Sequence, residues 1–302
     1  MPMTHRQRIE STLAFKETDR LPYSMWMHFP NRDRHPRRLA ELSLAYQKKY
    51  DLDFIKFMPF GMYSTIDYGM DLNVFPGFVD APVAQKPVIE KVSDWDNIRY
   101  VSGTAGEYAI VLEAQRILFE MMDEKLPFLQ TVFSPMTTAV KLSSPQLLVK
   151  HIAEDPQRVR KALEIITATT IEFVKATVAL GTDGLFFATQ MSTKNLIDDK
   201  THDAFVKKYD LEVLNGVKNS TWFNVLHLHG ANAMIREVQD YPVQALSWHD
   251  RDDGPSMEEV RGYSDKVFVG GLSWGEKWLS KNNEEVVAEV REVAGRSGGK
   301  GV

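Results

Sequence analysis

The feature that most constrains the fold is the alternation of short apolar runs with longer amphipathic stretches along the whole chain. Strands are predicted at residues 21–29, 53–60, 126–133, 184–190, 223–229, 245–250 and 267–272. Residues 300–302 would begin an eighth strand. Such alternation is typical of parallel α/β sheets, and right-handed crossovers can close eight strands into a barrel. We therefore predict one (β/α)8 barrel domain over residues 1–302, with a short or incomplete last strand.

The main alternative is an open, doubly wound α/β sheet. That fold commonly binds nucleotides through glycine-rich loops, yet the sequence has no GxGxxG after the first predicted strand and no GxxxxGK[ST]. The barrel is therefore favoured. The irregular stretch 61–102 is long for a loop in a compact domain, which is typical of a lid or a binding wall.

Composition limits the classes of function. The chain is 43 % hydrophobic and 25 % charged, and its net charge of −5 argues against nucleic-acid binding. It contains no cysteine, which excludes disulfides and zinc–thiolate sites within this sequence. No apolar stretch reaches transmembrane length, and residues 1–10 lack the apolar core of a signal peptide. We therefore expect a cytoplasmic protein without a nucleic-acid or membrane partner.

Two histidines mark the end of the fifth predicted strand. His227 and His229 flank Leu228 in an apolar run that Gly230 ends. Side chains alternate across a strand, so both imidazoles point to the same face. They could bind a metal, move protons or bind an anionic substrate. The alternative is a pair of hydrogen-bonded core histidines, and we favour the functional interpretation because barrel strand ends meet there.

The carboxyl ends of the strands carry the chemistry of this type of barrel. The catalytic candidates at these ends are His28, His227, His229 and Asp250. The substrate-binding candidates are Trp26, Arg32, Lys56, Tyr63, Gln190, Trp248, His249 and Trp274. The tryptophans could instead fill the barrel mouth, and Lys56 could point outward into solvent.

Several segments resemble the uroporphyrinogen decarboxylase superfamily. They are Thr18-Asp19-Arg20-Leu21-Pro22, Tyr68-Gly69-Met70, Phe187-Ala188-Thr189-Gln190, Leu226-His227-Leu228-His229-Gly230 and Gly270-Gly271-Leu272. The resemblance covers nearly the whole chain and implies a (β/α)8 barrel with a deep cleft. The decarboxylase branch has an aspartate after the second strand, but Phe57-Met58-Pro59 offers no acid there. Its Met-Arg signature is replaced by Met27-His28, with Arg32 as the only match to its second arginine, which argues against uroporphyrinogen as the substrate.

The chain also resembles the methylcobalamin:coenzyme M methyltransferase branch. That branch binds zinc through His-x-Cys at one strand end and a second cysteine near the final strand. His227-Leu228-His229 resembles the first motif with His229 in place of the cysteine. The resemblance implies zinc bound by His227 and His229, while the third ligand would fall beyond Val302 unless Asp250 replaces it. With two ligands, we expect weak zinc binding or none.

Three functions follow from the residues and the resemblance. The favoured one is a methyltransferase that acts on a small molecule with a corrinoid carried by a partner protein. The second is a decarboxylase of uroporphyrinogen or another carboxylated substrate, which needs no cofactor. The third is a non-catalytic barrel that binds a tetrapyrrole or a corrinoid. A homodimer is compatible with all three.

Overall fold

The structure is a computed structural model that describes residues 2–73, 83–273, 277, 279–297 and 301. Its strands are β1 Ile55–Phe57, β2 Asp71–Asn73, β3 Val83–Lys86, β4 Phe128–Phe133, β5 Gly184–Thr189, β6 Val225–Leu228, β7 Ala245–Ser247 and β8 Val267–Val269. The α-helices are α1 His5–Leu13, α2 Pro36–Tyr50, α3 Tyr63–Ile66, α4 Gly106–Met121, α5 Pro135–Leu142, α6 Pro145–Glu154, α7 Pro156–Ala179, α8 Asp199–His202, α9 Lys208–Asn215, α10 Met257–Arg261 and α11 Asn283–Ser297. A π-helical turn, Asp203–Lys207, joins α8 to α9.

Six strands form one curled parallel sheet in the order β1-β4-β5-β6-β7-β8. The strand residues that point into the curl form a single apolar cluster. This cluster also contains Phe54, which lies next to β1, and Val267 of β8. Those two residues lie at opposite edges of the sheet, so the sheet must bend around the cluster. The α/β class and the parallel sheet are confirmed, and the described part of the chain shows a half-barrel rather than eight paired strands.

The predicted first strand is not a strand in the structure. Residues 21–29 have no regular strand pairing. One backbone hydrogen bond, from Asp53 N to Tyr23 O at 2.9 Å, links them to the chain just before β1. Pro22 and Pro30 bracket the segment, and prolines lack the N–H groups that a ladder needs. At the other edge, Gly301 accepts a bond from Phe268 N at 3.0 Å, and the other residues of the predicted eighth strand lie outside the described residues.

The sheet has an inner and an outer face because parallel strands alternate with period two. On β5, Leu185 and Phe187 point outward into the large cluster formed with the helices, whereas Phe186 points into the curl. Proline opens α5, α6 and α7 at the first turn, behind Ser134, Ser144 and Asp155, whose side chains cap the helices. These caps fix where each helix leaves the sheet.

The predicted long loop contains secondary structure of its own. It holds α3, the antiparallel pair β2–β3 and a 3-10 helix at Val92–Asn97, while residues 74–82 lie outside the described residues. Within the described part of the chain, no helix combines the length and the apolar character needed to cross a membrane.

The carboxylate of Asp53 ties the amino-terminal segment to β1. It is fully buried and accepts hydrogen bonds from the side chains of Arg8, Arg20 and His5 and from Tyr23 N at 2.8 Å. Burial alone would raise the pKa of Asp53, but these donors, led by Arg20, outweigh it and lower the pKa. The charged form of Asp53 therefore stabilises the fold.

We predict that Asp53→Asn lowers the free energy of unfolding by roughly 3–5 kcal/mol, because it removes the fully buried charge that Arg8 and Arg20 both contact. Since folding lowers the pKa, the stability that Asp53 contributes is present above about pH 4 and is lost as the pH falls below that value. Urea unfolding between pH 3 and 8 measures both effects. Asp51→Asn is the control, since Asp51 shares Arg20 and His5 but its side chain is 71 % exposed. Equal losses in the two variants would contradict the prediction.

Candidate metal centre

Two histidines of the site come from β6 and the residue that follows it. Val225 and His227 point into the curl, and Leu226 and Leu228 point outward into the helix-facing cluster. Continuing this alternation places His229 on the inner side as well. Gly230 then ends the strand with a φ of 92°, a conformation that glycine adopts at little cost. Both imidazoles thus lie at the carboxyl end of the sheet.

A third histidine reaches the same place from β7. His227 is paired in register with Ser247, so His249 continues β7 beside His229. The ring centroids of His229 and His249 are 4.9 Å apart, and those of His227 and His249 are 5.6 Å apart. One nitrogen from each of the three rings lies within 4.8 Å of the other two. Among the described residues, His227, His229 and His249 form a group that could hold a metal ion.

Two further side chains orient these rings. His249 Nδ1 lies 3.0 Å from Asp253 Oδ2, and His227 Nδ1 lies 3.1 Å from Ser247 Oγ. A histidine that donates Nδ1–H to such a partner presents the lone pair of Nε2 to a metal. Asp253 reaches His249 because the chain turns back after β7, where the N–H groups of residues 252–254 bond to the carbonyl of His249.

The electrostatics of the pocket favour the neutral form of His227 and His229. Burial lowers the pKa of His227 well below its usual value, with additional lowering from the charge of Lys56 and from His249. Burial also lowers the pKa of His229. Neutral imidazole is the form that binds a metal ion, so the site is prepared for one near neutral pH.

The donor set fits zinc. A tetrahedral zinc ion with nitrogen ligands at about 2.0–2.1 Å places those nitrogens about 3.4 Å apart, so small ring rotations would close the site. Three neutral imidazoles and one open position form a ligand set found in catalytic zinc sites. The third histidine changes the expectation from the sequence, in which the proposed metal ligands were His227 and His229, with Asp250 as a substitute for the third.

Asp250 occupies a different position from the one proposed for it as the third ligand. Its Oδ1 accepts a hydrogen bond from Gly271 N at 2.8 Å, which connects the loop after β7 to the loop after β8. Burial raises the pKa of Asp250. The carboxylate of Asp250 is directed at that backbone and is not part of the histidine cluster. The preceding residue, His249, belongs to the cluster instead.

Four other predicted residues lie around the histidines. Lys56 Nζ lies 4.3 Å from the centre of the Trp26 ring, and the Phe186 ring is a neighbour of both Lys56 and His227. His28 Nδ1 lies 3.8 Å from Asp33 Oδ2, and burial together with the charges of Lys56 and Lys141 lowers the pKa of His28 to about 4. Gln190 follows β5, where its N–H bonds to Thr137 Oγ1 at 2.9 Å.

Two other predicted residues, Tyr63 and Trp248, lie in the outer cluster, away from this pocket. Tyr63 is 1 % exposed, packs in the outer cluster and donates its hydroxyl to Thr131 O at 3.1 Å. Trp248 is 3 % exposed, lies on the outer face of β7 and donates Nε1–H to Pro255 O at 2.7 Å. Arg32 is an exposed turn residue. Both aromatic residues are therefore corrected from binding to core residues, and Trp274 lies outside the described residues.

Sequence reasoning missed Asp253, Ser247 and Lys141. Ser247 lies two residues before His249 on the same strand face, so period-two alternation could have found it. Asp253 is one of three acids in the four residues after His249. Only the conformation of the turn determines which of these acids contacts His249, and the sequence does not show it. No sequence pattern marked Lys141 as a site residue, because it lies in the last turn of a short helix among ordinary helical residues.

Comparison with known proteins identifies the family. The profile of the uroporphyrinogen decarboxylase (URO-D) family matches residues 4–301. The chain belongs to this family. A solved structure described as a methyltransferase from Methanosarcina mazei superposes with a TM-score of 0.84, at 20 % identity, over 99 % of this chain and 91 % of that one. This agreement shows a shared fold.

Curated relatives of this URO-D family member are methyltransferases. The chain is 26 % identical over 183 residues to the methylcobamide:CoM methyltransferase MtaA of Methanosarcina barkeri, covering 60 % of this chain and 53 % of the relative. It is 21 % identical over 192 residues to the methylcobamide:CoM methyltransferase MtbA of Methanosarcina acetivorans, covering 63 % and 56 %. The matched regions thus span just over half the length of these relatives.

We predict that the protein binds one zinc ion and that His249→Ala weakens this binding. The loss of affinity should exceed the roughly 10–100-fold that follows removal of a residue that only hydrogen-bonds a metal ligand. Asp250→Ala should bind zinc like the wild type, because its carboxylate is directed at Gly271. Competition with a chromogenic chelator measures both affinities. A loss of zinc in Asp250→Ala equal to that in His249→Ala would restore Asp250 as a ligand.

A second prediction concerns the residue that orients His249. Asp253→Asn should weaken zinc binding by about 10–100-fold, because the amide is a weaker acceptor for Nδ1–H than the carboxylate. Asp252→Asn is the control, since Asp252 pairs with Lys277. Equal zinc affinities of Asp253→Asn and wild type would show that the Asp253–His249 contact does not support the metal site.

Proposed function

We propose that this protein is a zinc-dependent methyltransferase that moves a methyl group between a corrinoid and a small-molecule thiol. The observation that carries the proposal is the meeting of His227, His229 and His249 at the carboxyl ends of β6 and β7. The matches to methylcobamide:CoM methyltransferases support the corrinoid, which a partner protein would carry.

We also propose that the half-barrel of the described residues belongs to a complete (β/α)8 barrel. The extended segment beside β1 and the bond from Phe268 N to Gly301 O support this proposal, because they place chain at both edges of the sheet. Closing the barrel would put Trp26 and His28 opposite the histidine cluster and give the pocket a continuous wall.

The residues of this chain would hold the metal and exclude water. His227, His229 and His249 would bind through Nε2, with Asp253 and Ser247 fixing two of the rings. Zinc bound there would lower the pKa of an acceptor thiol, so that a thiolate attacks the methyl group. Because the three ligands are neutral, they leave the charge of the ion uncompensated, which favours the anionic sulfur.

The wall of the pocket beside the metal ligands is aromatic. The Phe186 ring lies 5.3 Å from the Trp26 ring and 5.3 Å from the His227 ring, centroid to centroid. Such a wall removes water from the reacting sulfur and lowers the local dielectric, which strengthens charge interactions at the site. His28 would lie across the pocket as a proton donor or acceptor for the substrate.

We predict that the zinc-loaded protein transfers the methyl group of free methylcobalamin to coenzyme M or another small thiol, and that His227→Ala and His229→Ala each abolish transfer. The folding midpoint of the zinc-free variants should stay close to that of the wild type, since both rings lie at the carboxyl end of the sheet and are only partly buried. The change in corrinoid absorbance measures transfer.

A chelated protein with undiminished transfer would overturn the zinc mechanism. Turnover of uroporphyrinogen by the zinc-free protein, without methyl transfer by the zinc-loaded one, would instead establish the decarboxylase. Reconstitution with zinc after chelation is the control, because it should restore transfer in the wild type and leave His227→Ala inactive.

A further inference from the structure

The first observation is a lysine turned into the curled sheet. Lys56, in the middle of β1, places Nζ 4.1 Å from the centre of the Phe186 ring and 4.3 Å from that of the Trp26 ring. Among the described residues, no carboxylate oxygen lies within 4.0 Å of this nitrogen. Burial lowers the pKa of Lys56 well below its usual value. An aromatic face compensates only part of the cost of burying a charge.

A second lysine reaches the same end of the sheet from α5. Lys141 Nζ lies 4.4 Å from the centre of the Phe133 ring and 3.9 Å from Met62 Sδ. It too has no carboxylate oxygen within 4.0 Å in the described part of the chain. Burial lowers the pKa of Lys141 to about 8. Within the described residues, two partly buried amines thus lack the acidic partner that such groups usually have.

The charges of the two lysines reach the histidines of the site. Phe186 contacts Lys56 with one part of its ring and lies 5.3 Å from the His227 ring. The charge of Lys56 lowers the pKa of both His28 and His227, and the charge of Lys141 lowers the pKa of both His28 and His229. Both amines are therefore close to the residues that would surround a substrate.

Two acids that the structure describes near the histidines are engaged with histidines rather than with the lysines. Asp253 is bonded to His249 at 3.0 Å, and Asp33 lies 3.8 Å from His28. Burial raises the pKa of Asp33 to about 6, so part of its population is protonated near neutral pH. The cationic side of the pocket is thus left for a ligand.

We infer that Lys56 and Lys141 form an anion-binding subsite that holds an acid group of the small-molecule substrate beside the histidine cluster. The inference deepens the proposed function, because it assigns a charge to the substrate of the same site. Lysine ammonium groups act as point charges rather than as a planar fork, so they accept carboxylate, sulfonate and phosphate alike. An anion bound near both amines would favour their charged forms.

The test titrates simple anions into the metal-free protein. Acetate, methanesulfonate and inorganic phosphate are added at constant ionic strength with chloride, and thermal stability and tryptophan fluorescence are followed. We expect saturable stabilisation by at least one anion, with at least tenfold weaker binding in Lys56→Met and in Lys141→Met. The order of affinities identifies the acid group. Lys161→Met, an exposed site on α7, is the control and should bind like the wild type.

A further signature separates the subsite from a structural role. Without anion, Lys56→Met should raise the folding midpoint, because it removes an unpaired buried amine, and its zinc affinity should not fall. Lys141→Met tests the same inference from another element if Lys56→Met does not fold. No saturable anion binding, or equal binding by both variants and wild type, overturns the inference. Because the titration uses metal-free protein, this result leaves the zinc and methyl-transfer experiments unaffected.

Discussion

The buried carboxylate of Asp53 is the contact on which the arrangement of the pocket depends. It gathers donors from α1, from the segment after α1 and from the backbone of Tyr23. These bonds hold an extended segment with almost no ladder hydrogen bonds against β1. Trp26 and His28 lie on that segment, and Lys56 lies just beyond Asp53 on β1. A charge interaction at the amino end of the sheet therefore determines which side chains reach its carboxyl end.

The histidine cluster follows from two simple geometric rules. Alternation with period two places His227 and His229 on one face, and this was predictable from the sequence. The addition of His249 depends on parallel register, in which His227 pairs with Ser247. No local pattern encodes the register of two strands separated by a long connection, so the sequence named His249 only as a substrate-binding candidate. The alternation of strands and helices predicted the fold class for the same local reason.

The other differences between expectation and structure arise from contacts distant in sequence. The first predicted strand had the right residues but was flanked by prolines, and it lies extended without pairing as a ladder. Tyr63 and Trp248 sit beside strand ends in the sequence, yet packing against helices takes both to the outer face. Lys141, near the end of α5, places its amine 4.4 Å from the centre of the Phe133 ring on the neighbouring strand β4. Packing between residues distant in sequence determined each of these positions, and local secondary-structure propensity does not predict such contacts.

The absence of cysteine has a consequence for where such a site can work. Thiolate ligands are oxidised stepwise by peroxide, and a metal held by them is released when they are lost. Imidazole ligands do not enter that sequence of reactions, and the chain of 302 residues contains no thiol at all. A centre built from His227, His229 and His249 would therefore keep its three ligands when peroxide is present, since none of them can be oxidised along that sequence of reactions.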